Sequence, residues 1–176
     1  MLLLDSTLEG EAYAHPQADV PGARVLVLGI GNVLMGDEGV GVHILRLLEQ
    51  EPAMPGVRLL DGGTGGVNLL AEIGRMAAVV LIDATRDGRP AGTVTCLHSE
   101  RVGDLPRGLG AHDFGLKDLF AAAALIGQLP ELHLYTISVE TIVPMCTALS
   151  PAVAAAVPEV ALAARAHAAR LAAEVR

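Results

Sequence analysis

Residues 24–50 read RVLVLGIGNVLMGDEGVGVHILRLLEQ. Residues 24–30 have no internal polar residue, which predicts a central strand of a parallel sheet, buried on both faces. Gly29 and Gly31 permit a tight exit from that strand. Val40, Ile44, Leu47 and Leu48 then recur at i, i+4, i+7 and i+8, the apolar stripe of an amphipathic helix. His43, Arg46, Glu49 and Gln50 fall outside the stripe. Strand, glycine turn and helix in direct succession mark the place where α/β proteins put their chemistry. This turn differs from most by carrying two acids, Asp37 and Glu38.

The same alternation continues outward. Pro52, Pro55 and Gly56 break the first helix from a short strand at 57–61, which ends in Asp61. Gly62, Gly63, Gly65 and Gly66 surround Thr64 in a second glycine turn, before a helix at 67–74. The run AAVVLI at 77–82 is a fully buried strand that also ends in an acid, Asp83. A loop with Asp87, Gly88, Pro90 and Gly92 leads to a strand at 93–97. Residues 100–111 are polar and glycine-rich, a long surface loop. A helix at 116–126, a last strand at 133–139 and an alanine-rich helix to residue 174 complete the chain. Ser150 reads as N-cap of that helix with Pro151 at its first position, and Pro158 should kink or split it. The expected fold is α/β: one domain at 23–176, with a twisted, mostly parallel five-stranded sheet between helices. Residues 1–22 show no sustained period and read as a mobile extension.

Composition narrows the function. A net charge of −8, from 20 acidic and 12 basic residues, argues against a nucleic-acid surface. No apolar run approaches the roughly 20 residues of a membrane span, and the amino terminus lacks a basic signal region. Cys96 and Cys146 have no metal-ligand spacing and read as free thiols in a reducing cytoplasm.

In a parallel sheet the carboxyl ends of the strands share one edge. That edge would gather Asp37, Glu38, Asp61 and Asp83, with His112 opening a helix after the fourth strand. Clustered carboxylates repel unless a cation, a proton or a donor intervenes. Beside one imidazole they suit a hard-to-borderline metal. Each residue also has a structural reading. Asp37 can cap a helix, Glu38 can complement a helix dipole, and Asp61 can brace the glycine turn after it. His112 can be a cap, and Asn32 can hold a left-handed turn or contact a ligand from it. Asp83 is the hardest to explain structurally, because a carboxylate after a buried strand is expensive without a partner. His43, His98, His133 and His167 read as solvent-facing or structural. The dinucleotide fingerprint fails, since Gly29-Ile30-Gly31 is followed by Asn32, Val33 and Leu34, and the acids occupy the place a pyrophosphate would need.

Taken together, GIGNVLMGDEGVG, LLDGGTGG, LIDA and HDFGLKDL, in this order, resemble the hydrogenase maturation proteases. The likeness runs from about residue 24 into the last helix. It implies an endopeptidase that trims the C-terminal peptide from the large-subunit precursor of a [NiFe] hydrogenase once nickel is in place. It implies metal contacts at Glu38, Asp83 and His112, with Glu38 or Asp83 also able to act as the base, and nickel supplied by the substrate. A neutral His112 is needed for ligation, so metal recognition should weaken in acid. Two features depart from the family: the extension at 1–22, and Asp113-Phe114 where a glutamine and an aliphatic residue are common. A nucleotide-binding module and a non-catalytic metal sensor are the competing readings.

Overall fold

A computed structural model describes residues 20–99, 116–125, 127 and 129–175. Within them the chain runs β1 (Val25–Ile30), α1 (Val40–Leu48), β2 (Val57–Gly63), α2 (Leu70–Ile73), β3 (Ala78–Thr85), β4 (Val94–Ser99), α3 (Leu116–Leu125), β5 (Glu131–Ser138) and α4 (Pro151–Glu174). The five described strands lie in the order β2-β1-β3-β5-β4. β2, β1, β3 and β5 are parallel, and β4 lies antiparallel to β5 at the edge. The expected mostly parallel α/β fold is therefore what the chain adopts.

Strand alternation divides the core in two. Val25, Val27, Val80, Ile82, Tyr135 and Ile137 face α1 and α4. Leu26, Leu28, Ile30, Leu81 and Leu134 face the other layer, where Phe120 of α3 and Ile73 of α2 cover them. β1 and β3 are buried along their whole length, as aliphatic runs under helices on both faces must be.

Several boundaries differ from the sequence reading. β2 and β3 run two and three residues further than predicted, so Asp61 and Asp83 lie inside strands rather than at their ends. Pairing carries β3 on: Asp83 lies opposite Thr136, and Thr85 opposite Ser138. The predicted helix at 67–74 is a 3₁₀ turn, Gly66–Leu69, followed by the short α2. α1 buries Val42 and Leu45 as well as the predicted stripe, while Leu47 is only partly covered, because α4 packs beside it over the sheet.

α4 stays one continuous helix through Pro158. Pro158 and Ala154, whose carbonyl loses its helical donor, are both exposed, so water can take the missing partner's place. Val153, Ala156, Val160, Ala161, Ala164, Ala168 and Leu171 hold the helix down along one stripe. By length and composition α4 is apolar enough to cross a membrane. Its packing over α1 and the sheet, with Glu159, Arg165 and Arg170 along its length, makes it a core helix here.

Candidate active site at the sheet's carboxyl edge

β1 pairs with β2 on one side and β3 on the other, so the chain reverses direction across the sheet beside β1. Open α/β sheets bind ligands outside the carboxyl ends of strands at such a switch point. Glu38 follows β1 and Asp83 lies on β3, so they flank this position. Both are buried, with 5% and 2% of their surface exposed. A carboxylate at that depth is costly unless charge, donors or a ligand compensate it. Asp83 Oδ1 accepts the N–H of Ala84 at 2.8 Å.

The glycines bring Glu38 into place by close approach. Gly31 sits at φ +134°, and an added Cβ would fall 1.9 Å from the carbonyl oxygen of Glu38. Gly29 likewise lies against the backbone of Gly41, and Gly62 sits under Ile30 and Leu28. Their missing side chains make room for backbone and core groups, which seats the turn tightly on the sheet. Gly62 also falls at an irregularity in the ladder, since Gly29 faces Asp61 while Ile30 faces Gly63.

Asp37 does not cap its own helical turn, which has Met35 before it and no side-chain cap. Its Oδ1 instead accepts the backbone N–H of Ser150 at 2.6 Å, across 113 residues. That bond anchors the start of α4. Ser150 occupies the predicted N-cap position with extended backbone and Pro151 behind it, but its hydroxyl makes no capping bond. Asp61 braces the glycine turn, accepting the N–H of Gly63 at 2.9 Å. Asn32 has a structural role too, its amide oxygen accepting the N–H of Leu34 at 3.0 Å.

Two pockets open beside these groups. One of about 280 Å³ is lined by Gly31, Asn32, Arg46, Asp61, Gly63 and Thr64, among others. The other, about 490 Å³, lies where the chain leaves β3 and β5, between Arg86, Arg89, Val139 and Glu140. Beside it the Arg89 guanidinium, with help from the Arg89 N–H and the Ser138 hydroxyl, holds the Asp87 carboxyl down at about 2.

His112 lies outside the described residues. It is read as opening the helix after β4, which is described from Leu116 onward as α3. β4 runs the other way and delivers Ser99 to the opposite edge, next to Leu132 near the start of β5. Only the loop at 86–93 joins β3 to β4, with no helix to carry the chain back across the sheet, so β4 starts at the carboxyl edge and runs antiparallel.

Residues 42–167 match the model of a family described as hydrogenase maturation protease. The chain belongs to the hydrogenase maturation protease family. It is 39% identical over 125 residues to the hydrogenase expression/formation protein HupD of Thiocapsa roseopersicina, an overlap of 68% of this chain and 55% of that one. It is 42% identical over 113 residues to the HupD of Rhodobacter capsulatus, covering 61% and 52%. The chain thus spans about half the length of these curated relatives. The solved structure of the hydrogenase maturating endopeptidase HybD from E. coli superposes with a TM-score of 0.71 at 36% identity, covering 80% of this chain and 88% of that one.

Within this family member, Thr85, Thr136 and Ser138 join Asp83 as buried polar residues at the carboxyl ends of β3 and β5. None of the three belongs to a motif that marks the site in the sequence. Their signal in the sequence is Thr136 and Ser138 alternating with apolar residues in HLYTIS, at the end where Asp83 lies.

Proposed function

We propose that the protein is an endopeptidase that removes the C-terminal peptide from the nickel-loaded large-subunit precursor of a [NiFe] hydrogenase, in a reducing cytoplasm. The observation that carries this reading is the pair of buried carboxylates, Glu38 and Asp83, flanking the switch point of a chain in the hydrogenase maturation protease family. In this reading nickel belongs to the substrate, and Glu38, Asp83 and His112 contact it. A borderline cation accepts such a mixed carboxylate and imidazole set. The scissile carbonyl is then attacked by water. A carboxylate, Asp83 or Glu38, takes the water's proton and returns it to the departing amine, while charge on the carbonyl oxygen is stabilised by the nearby metal.

Mass spectrometry of nickel-loaded precursor incubated with the protein tests this directly. A shortened precursor is the expected product, and precursors left intact across several hydrogenase types refute the reading. Glu38→Gln and Asp83→Asn should each slow processing by about 10²–10⁴-fold, the usual worth of a positioned acid–base group. Unchanged circular dichroism would separate that loss from unfolding. Normal processing by the Asp83 variant would move the site elsewhere.

A further inference from the structure

The other face and the other edge of the sheet hold a second cluster of ligating groups. His98 on β4 lies opposite His133 on β5. Their Nδ1 atoms are 3.3 Å apart. Glu131 Oε1 is 2.9 Å from His133 Nε2 and 3.8 Å from His98 Nδ1. His167 of α4 closes the cluster from above, its ring edge-on to His133 at 4.2 Å. The Tyr135 hydroxyl fixes His167 through Nδ1 at 3.1 Å. Three imidazoles and a carboxylate thus meet where β4, β5 and α4 converge, far in the chain from the turn that carries Glu38.

We propose that His98 and His133 hold one borderline divalent cation, Zn²⁺ or Ni²⁺, with Glu131 orienting His133 through its other ring nitrogen, at a site separate from the carboxyl edge of the sheet. Their donor atoms lie within 4.8 Å of one another. The spacing of the two Nδ1 atoms suits coordination, because bonds of about 2.0–2.1 Å at a tetrahedral angle separate two nitrogens by about 3.3 Å. Tautomers agree with it. With His133 Nε2–H donating to Glu131, His133 Nδ1 keeps its lone pair, an orientation common for metal-ligating imidazoles. In the metal-free cluster His98 Nδ1–H then donates to His133 Nδ1. A cation takes the place of that proton, and the half-exposed His98 adopts its other neutral tautomer. Burial holds His133 below the ordinary histidine pKa, which favours its neutral form. The imidazole-rich set selects Zn²⁺, Ni²⁺ or Cu²⁺ over Mg²⁺ and Ca²⁺. Arg170 opposes binding by its charge, and Glu131 favours it. A bound ion would tie the edge strand β4 to β5.

The structural alternative is a hydrogen-bonded histidine ladder that shields the sheet edge and holds no ion. Calorimetric titration of Zn²⁺ and Ni²⁺ into the full chain carrying Glu38→Gln and Asp83→Asn separates the two. One equivalent should bind, His98→Ala should abolish it, and Glu131→Gln should weaken it by about 10–100-fold. An isotherm without binding, or one unchanged by His98→Ala, overturns the proposal. Nitrogen-detected NMR of the histidine rings in the wild-type chain gives an independent reading. Zn²⁺ should shift Nδ1 of His98 and His133, and unshifted rings overturn the site.

Discussion

Replacing Gly31 by alanine tests whether backbone close packing positions Glu38. The new Cβ would lie 1.9 Å from the Glu38 carbonyl oxygen and 3.2 Å from the Gly39 Cα, whereas real Cβ atoms essentially never come within 3.0 Å. The Glu38 backbone must therefore retreat by about 1 Å, an overpacking that typically costs about 1–3 kcal/mol. Alanine at φ +134° adds strain of about 1–3 kcal/mol. Together that is about 2–6 kcal/mol, against a total stability of about 5–15 kcal/mol for a typical domain. Gly88→Ala is the control: it also has positive φ, +79°, but nothing lies within 4 Å of its Cβ. Only the left-handed backbone cost remains there, about 1–2 kcal/mol. The chain lacks tryptophan, so urea unfolding is followed by far-ultraviolet circular dichroism. Gly31→Ala should lose more stability than Gly88→Ala, and in the folded fraction a displacement of about 1 Å should slow processing by on the order of 100-fold. Equal losses for the two variants would refute the packing argument.

Asp37→Ala should destabilise the fold by about 1.5–3 kcal/mol, because it removes a charged acceptor and leaves the Ser150 N–H without it. Asp37→Asn should recover most of that in the same urea titration, and equal loss in both variants would count against the bond. His43 sits below its ordinary pKa of 6.5, chiefly through burial and then the charge of Arg46, partly offset by a backbone hydrogen bond at Thr147. The unfolded chain binds that proton more readily, so the stability tied to neutral His43 is full above pH 6.5 and falls as pH drops through the folded value. His43→Gln should flatten that limb of a stability–pH curve, and an unaltered slope would exclude His43 as its source. Met145 holds φ +57° with 87% of its surface exposed. Met145→Gly should therefore be neutral or stabilising by up to about 1 kcal/mol in thermal unfolding, since it relieves left-handed strain and removes little packing.

Local pattern determined much of this protein. The aliphatic run before Gly29, the stripe from Val40 to Leu48 and the AAVVLI run each state a local period and burial, and the sheet, its helices and the two buried strands follow from them. The same runs placed Glu38 and Asp83 near one edge, because parallel strands deliver their ends to one side. Four motifs in order carried the family. The tertiary structure alone decided the rest. It paired β4 with β5 at the sheet's edge. It turned Asp37 from a local cap into the anchor of Ser150, a contact between residues 113 apart in the chain. It joined His98 and His133, 35 residues apart, and brought His167 down from α4 onto them. A period in sequence encodes what a residue does within its own turn or strand. Contacts across the sheet depend on strand order and on which helix covers which face, and those are settled by the packing of the whole chain.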